Sequence, residues 1–171
     1  MIEFNVCGDV KEPQRKSGDA GIDCFVPNKT TEFINDVISL NGDEFKNNNL
    51  KICDEEIIIK SGCQIKLPLY IKSKIDSNIA LLGVNKSGIA FNQRLTLGAC
   101  LIDSSYQGVI ILHLINNSNN DTYIKYGQKI VQFVPIHFNT EDITIKNNLS
   151  DEEFYTEKSS RGAGGFGSTG I

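Results

Sequence analysis

The densest concentration of chemically useful residues lies in the last eleven positions, RGAGGFGSTGI (161–171): one arginine, one aromatic ring, two hydroxyls and five glycines. Glycines in that number cannot build a core. They do let a backbone approach a ligand closely and turn its N–H groups toward an anion. Arg161 offers a two-pronged phosphate clamp. Ser168 and Thr169 add hydroxyls beside Gly167, and Phe166 offers a face for a planar base. The set suits a nucleotide carrying phosphates. The plain alternative is a flexible Gly/Ser-rich tail, although a bare linker has little use for an arginine and a phenylalanine.

Four internal segments could add to such a site. In LGACLIDSSYQG (97–108), Asp103 follows an apolar run and precedes Tyr106. A carboxylate at the end of a buried strand can hold a water as general base; Asp-Ser-Ser equally makes an ordinary turn. In NKSGIA (85–90), Lys86, Ser87 and Gly88 put a cation, a hydroxyl and a compliant backbone at the start of a helical turn. That arrangement is either an anion site or an N-cap. GQKIVQ (127–132) is a turn feeding a strand that carries one amide, Gln132, and DAGIDCF (19–25) sets Asp19 and Asp23 around an Ala-Gly turn.

The patterning predicts a β scaffold to position these groups. Residues 56–60, 64–71, 78–84, 109–115, 130–136 and 142–145 are short runs rich in β-branched and aromatic residues, punctuated by Ser61-Gly62, Asn116-Asn117 and Tyr126-Gly127. Many short strands with few helical periods predict an all-β barrel or sandwich. Only 87–92 reads as a helical turn. Residues 28–54 differ: they are rich in Asn, Asp, Glu and Lys, with Phe33, Ile34, Val37, Ile38 and Leu40 as apolar positions. We read them as a surface insertion, a hairpin or a short helix, within a single domain spanning 1–171.

Composition narrows the function. The chain has 171 residues, 40% of them hydrophobic, and a net charge of −4, enough for one domain with a sizeable core. No long basic run is present, which argues against a sequence-independent nucleic-acid surface; Lys11, Arg15 and Lys16 read as a solvated loop. An acidic protein handling a polyphosphate must concentrate its cations locally or borrow a metal ion. Five cysteines without a C-x-x-C pattern, and no apolar leader, lead us to expect reduced thiols in a cytoplasmic or nuclear type of compartment, the host cytoplasm if the source is viral. His113 and His137 lack zinc-ligand spacing to those cysteines and read as satisfied structural residues. No apolar run approaches the ~20 residues needed to span a membrane.

Taken in order, AGID (20–23), NKSGIA (85–90), LIDSSYQG (101–108), GQKIVQ (127–132) and RGAGGFGSTG (161–170) resemble the five ordered motifs of the trimeric dUTPase family. The resemblance implies a distorted jelly-roll-like β-barrel, a homotrimer whose three sites are shared between subunits, and a flexible glycine-rich arm (156–171) that closes over the nucleotide. It implies Mg²⁺-assisted hydrolysis of dUTP to dUMP and diphosphate, which limits uracil in DNA and supplies dUMP for dTMP synthesis. Asp103 would activate the water that attacks the α-phosphorus. Tyr106 would pack under the deoxyribose and exclude a 2′-hydroxyl. The hairpin backbone at Cys100 and Ile111 would read uracil. Lys86, Ser87, Gly88 and Gln132 would hold phosphate oxygens. Arg161, Gly167, Ser168 and Thr169 would grip the γ-phosphate end, and Phe166 would stack on the base. Mg²⁺ would be held mainly by substrate phosphates, with Asp23 supporting its water shell or the cation of the second motif.

Three departures from the family pattern stand out. Lys86 replaces a usual arginine and loses the planar fork. Cys100 replaces a common glycine, and Ser105 a common acidic residue. Two other activities fit parts of the pattern. One is a dCTP deaminase-like enzyme of the same superfold, which the Phe-Gly-Ser-Thr arm argues against. The other is a nucleotide-dependent regulatory binding protein, for which residues 28–54 would be the contact surface.

Overall fold

The structure is a computed structural model and describes residues 1–139, 143–155 and 157. The chain divides into Met1–Phe138 and Asn139–Ile171. The first unit holds twelve strands: β1 (Ile2–Val6), β2 (Ile22–Phe25), β3 (Leu50–Ile52), β4 (Glu56–Ile59), β5 (Gln64–Pro68), β6 (Ile71–Ile75), β7 (Ile79–Asn85), β8 (Leu95–Leu97), β9 (Leu101–Ile102), β10 (Ile111–Asn116), β11 (Thr122–Lys125) and β12 (Lys129–His137). All pairings are antiparallel, in four sheets ordered β1-β6, β5-β10-β8, β11-β4-β3 and β2-β12-β7-β9. Neighbouring strands far apart in sequence, such as β2 and β12, are the crossovers expected of a jelly-roll-like body.

Strand burial follows the two-residue period of a pleated strand. In β6 and β10, alternate residues are buried, and Ile57, Ile59, Leu81, Leu114 and Phe133 meet in the core. The strand expected over 64–71 is broken: Tyr70 takes a left-handed backbone (φ 53°) between β5 and β6. A tyrosine adopts that conformation only when its surroundings hold it there. Its hydroxyl donates to Asp36 at 2.7 Å and its ring meets Phe33 edge-on at 5.9 Å. Burial, then the Asp36 carboxylate, push the Tyr70 hydroxyl well above its ordinary range, which keeps it a donor. The strand expected over 142–145 is not formed at residues 143–145, and Asp142 lies outside the described residues.

Residues 28–54 are helical. α1 (Thr31–Leu40) starts at Thr30, whose side-chain oxygen accepts from the Phe33 N–H at 3.1 Å, a standard N-cap. Phe33 and Val37, one turn apart, are fully buried, so this segment contributes to the core as well as to the surface. α2 (Gly42–Lys46) follows directly. Between them Asn41, 5% exposed, accepts from the Lys66 N–H and donates to the Lys66 carbonyl, both at 2.8 Å. Its amide thus stands in for a neighbouring strand at the open edge of β5, where unpaired groups would be a liability. In the second unit, α3 (Asp151–Phe154) is a single turn closed by a Ser150–Glu153 capping box.

Candidate active site

The sheet β2-β12-β7-β9 brings three of the motifs together. Gln132 pairs with Asp23 on one side and Val84 on the other, so Asp23, Gln132 and Val84 share one face, with Lys86 two residues beyond Val84. Lys86 Nζ lies 2.5 Å from Asp23 Oδ1. Lys129 Nζ lies 2.8 Å from Asp23 Oδ2, with the Asp23 side chain only 14% exposed. The sequence reading did not include Lys129. A regular strand would place it on the opposite face from Gln132. A β-bulge between Lys129 and Val131 inserts Ile130 and turns Lys129 to the Asp23 side. The trace it leaves in the sequence is slight: Ile130 and Val131 are adjacent apolar residues just before Gln132, and only the structure shows both of them buried.

Burial alone would raise the Asp23 carboxyl, but hydrogen bonds from Lys129 and Lys86 outweigh it and hold the group below its ordinary range. A depressed carboxyl stabilises the fold fully above its unfolded value of about 3.9, and that stabilisation is lost as pH falls through the folded value. Lys129→Met removes one of the two cations. We therefore expect a smaller acid-side loss of melting temperature between about pH 5 and pH 3. Thermal melts across that range check it, and identical acid slopes in parent and variant would contradict it.

Ser87 and Gly88 are exposed at the end of β7, where the chain enters a helical turn that continues as a π-helical turn, Ile89–Gln93. The first turn closes with the Ala90 N–H donating to the Lys86 carbonyl at 2.9 Å. Beside Asp23 and Lys129, a groove of about 370 Å³ is lined by Arg15 and Lys16. The loop expected to be merely solvated therefore adds cations to this end of the sheet. Asp19 shapes that loop, accepting from the Lys16 N–H and the Arg15 Nε.

Asp103 stands elsewhere. It follows β9, the edge strand, and its carbonyl accepts from the Tyr106 N–H at 3.1 Å to close a turn. The apolar run before it is less buried than expected, with Leu101 51% exposed, because β9 has a partner on one side only. The Tyr106 hydroxyl donates to the Val109 carbonyl at 2.7 Å and its ring covers Gly108, where an added Cβ would fall 2.5 Å from the hydroxyl oxygen and 2.7 Å from Cζ. Gly108→Ala should displace the ring. If Tyr106 packs under the sugar, UTP should gain on dUTP in relative kcat/KM; an unchanged UTP:dUTP ratio would contradict that placement.

The expected hairpin is splayed. β8 and β10 pair from Leu97 opposite Leu114 to Leu95 opposite Asn116, with one further bond from the Gly98 N–H to the His113 carbonyl. Continuing that register sets Cys100 opposite Ile111. Instead the chain leaves the ladder at Gly98–Ala99, and the Cys100 carbonyl accepts from the Gly83 N–H of β7 at 2.6 Å. Ile110 directs its N–H and C=O toward the Leu69–Ile71 side. By alternation, Ile111 turns its own toward the gap. Among the described residues no backbone bond joins Cys100–Ile102 to Ile111, so this mouth of the hairpin leaves strand backbone for a planar base to meet by hydrogen bonds.

These two groups of residues do not converge within one chain. Ile102, next to Asp103, pairs with Leu81, whereas Lys86 lies at the far end of β7. At about 3.3 Å per residue the backbones are roughly 16 Å or more apart. Between them the exposed face of the sheet carries Leu82, Leu101, Val134 and Ile136, with Leu101 and Ile136 51% and 38% exposed, while Leu81, Val131 and Phe133 on the opposite face are in the core. Arg161, Phe166, Gly167, Ser168 and Thr169 lie outside the described residues.

Among the described residues no cluster of three or more His, Cys, Asp or Glu is arranged to cage a metal. Both Asp23 oxygens are already held by lysines. This donor set does not suit direct ligation of a bare ion. It does suit an ion carried in by phosphates, with Asp23 at the edge of its water shell.

An antiparallel β-barrel that gathers cations, an amide and a hydroxyl at one end of a sheet, and a turn carboxylate beside an open hairpin at the other, defines a protein built for a phosphorylated nucleoside. The dUTPase family model matches residues 49–170, and the chain belongs to that family. It is 34% identical over 141 residues to the deoxyuridine 5'-triphosphate nucleotidohydrolase of Arabidopsis thaliana, covering 71% of this chain and 81% of the relative. The fold matches a mutant dUTPase of Staphylococcus bacteriophage 80alpha with dUpNHpp, at a TM-score of 0.72 and 16% identity over 100% of this chain and 99% of that one. It also matches a mutant dUTPase from phage phi11 of S. aureus, whose structure details a structural Mg(II) ion, at a TM-score of 0.64 and 14% identity over 88% and 99%.

Proposed function

We propose that the protein is a dUTP diphosphatase that hydrolyses dUTP to dUMP and diphosphate in sites shared between the subunits of a homotrimer. The separation of Asp103 from Lys86 carries the shared-site reading. Two groups at opposite ends of one strand cannot act on one phosphorus unless a second copy supplies one of them. The apolar face between them, with Leu101 and Ile136 exposed, is a natural surface for that copy. Family membership supports the reaction, and the trimer follows from the family resemblance.

In this mechanism Asp103 takes a proton from a water held in line with the α-phosphorus. The water oxygen bonds to phosphorus, the bond to the bridging oxygen breaks, and diphosphate leaves with that oxygen's electron pair. Lys86, Ser87, Gly88 and Gln132 of a neighbouring copy hold phosphate oxygens. Tyr106 packs under the deoxyribose, and the mouth at Cys100 and Ile111 meets the uracil edge. A base lacking the matching donor and acceptor pattern leaves backbone groups unpaired, which is the strongest form of rejection open to such a site. Arg161, Phe166, Gly167, Ser168 and Thr169 close over the bound nucleotide. Magnesium on the phosphates supplies charge neutralisation when bound. We place the enzyme in a reducing compartment, cytoplasmic or nuclear in type. All five cysteines are free, and burial pushes the Cys24 thiol up to about 12, where it is inert.

Diphosphate release from dUTP, dTTP, dCTP and UTP, with and without Mg²⁺, tests the activity. Rapid release from dUTP alone, dependent on Mg²⁺, is the expected result. No release from dUTP, or ammonia from dCTP, would contradict it.

A further inference from the structure

His113 is the centre of a chain of hydrogen bonds that the reaction does not explain. The Ala99 N–H donates to His113 Nδ1 at 3.3 Å. His113 Nε2 lies 2.8 Å from Gln64 Oε1. Gln64 Nε2 in turn donates to Glu44 Oε1 at 3.3 Å. Glu44 is fixed at the other end, where Asn49 Nδ2 donates to its Oε2 at 2.8 Å. Each assignment follows from the last. A carboxylate only accepts, so the Gln64 amide nitrogen must face it and the amide oxygen must face the histidine. His113 therefore carries its proton on Nε2 and presents a bare Nδ1 to the Ala99 N–H. Every donor points the same way, toward Glu44, an arrangement in which successive bonds polarise one another.

The two ends of this chain are what give it meaning. One end is α2, inside residues 28–54, a segment the mechanism leaves without a task. The other is the bend at Gly98–Ala99, where the chain leaves the β8–β10 ladder and swings to β7, opening the mouth at Cys100 and Ile111. The contact at the bend is close: a Cβ at Gly98 would fall 2.1 Å from His113 Nδ1, so only glycine lets the ring sit there.

We propose that His113 is a positioning residue for base recognition, and that α2 sets its orientation through Glu44 and Gln64. The inference rests on the base-reading role given to the mouth under Proposed function. Residues 28–54 then act as a buttress that fixes how widely the hairpin opens, and hence how well the enzyme separates uracil from cytosine.

The test uses the full-length enzyme with three substitutions. His113→Phe keeps a ring but removes both bonds. We expect it to raise KM for dUTP and narrow the dUTP:dCTP preference in kcat/KM by about fivefold each, the equivalent of roughly one lost hydrogen bond, with kcat little changed. Gln64→Leu, on the surface, should shift the same two quantities in the same direction by a smaller factor. Glu44→Ala, which removes the acceptor that orients the Gln64 amide, should shift the same two quantities in the same direction, and a Glu44→Ala variant that matches the parent would remove α2 from the relay. A purely structural His113 would lower the melting temperature and scale both substrates alike, so an unchanged dUTP:dCTP ratio and KM in folded His113→Phe and Gln64→Leu would overturn the proposal. ¹⁵N NMR of the imidazole gives a readout independent of activity. The parent should show the Nε2–H form with a bare Nδ1, and Gln64→Leu should redistribute it; an Nδ1–H form in the parent would overturn the relay. A parent that does not act on dUTP would sink the functional reading first, and the NMR result would still judge the relay by itself.

Discussion

Asp103→Asn should lower kcat on dUTP by about 10²–10⁴-fold, the usual worth of a positioned general base, while leaving the fold intact. The carboxylate is exposed, and among the described residues no hydrogen bond to its oxygens is present; its backbone carbonyl, which the substitution keeps, closes the turn to Tyr106. Substitutions at such positions change stability by about 0.5 kcal/mol or less. The loss should fall on kcat rather than on KM, because asparagine keeps the shape of the site and loses only the ability to take a proton. Steady-state kinetics with a parallel thermal melt check this. A variant retaining full turnover would remove Asp103 from the mechanism.

Phe33→Ala should be the most destabilising single truncation in residues 28–54. Phe33 is fully buried and meets the rings of Tyr70 and Tyr126 edge-on at 5.9 and 6.1 Å. Truncating a buried phenylalanine costs about 3–5 kcal/mol, which for a chain of this size lowers the melting temperature by roughly 10 °C. The wider consequence concerns Tyr70. Its left-handed backbone is held by Phe33 and Asp36, and it is the hinge between β5 and β6. Emptying the Phe33 site therefore loosens a corner of the barrel as well as a helix. Calorimetry decides the matter. A melting temperature within a degree or two of the parent would mean that α1 lies on the barrel without contributing to its core.

Much of the barrel was legible because many of its strands are short runs of β-branched and aromatic residues bounded by turn residues. β4, β5, β7, β10 and β12 fall on the apolar, β-branched runs that read as strands, whereas β6, whose IKSKI alternates buried and exposed residues, lies largely outside the runs at 64–71 and 78–84. The helical turn after Lys86 was legible from its short polar and small residues. The helix in residues 28–54 was only half legible. Phe33 and Val37 have helical spacing and Thr30 is a good cap, but the polar surroundings suggested a surface feature, and only the packing against Tyr70 shows the burial. Lys129 was hidden by the bulge, since a strand read at strict period two puts it on the wrong face. The splayed hairpin was not legible at all. Its opening depends on Gly83 taking the Cys100 carbonyl and on His113 taking the Ala99 N–H, contacts between residues distant in sequence that no local pattern announces.

The motifs themselves were legible as a set, but not which of them share one chain's site. The structure puts Asp23, Lys86, Gln132 and the unforeseen Lys129 together, and puts Asp103 and Tyr106 at the other end of β7. From this follows the most direct test of shared sites. Asp103→Asn and Lys86→Met are each made as inactive enzymes, then mixed at equal amounts after unfolding and refolded together. If Asp103 of one copy works with Lys86 of another, about one quarter of the sites in randomly assembled trimers regain both native groups. Diphosphate release from dUTP should then recover to about a quarter of the parent rate. Activity that stays at the level of the separate variants would contradict the account, because it would place both groups in the same chain's site.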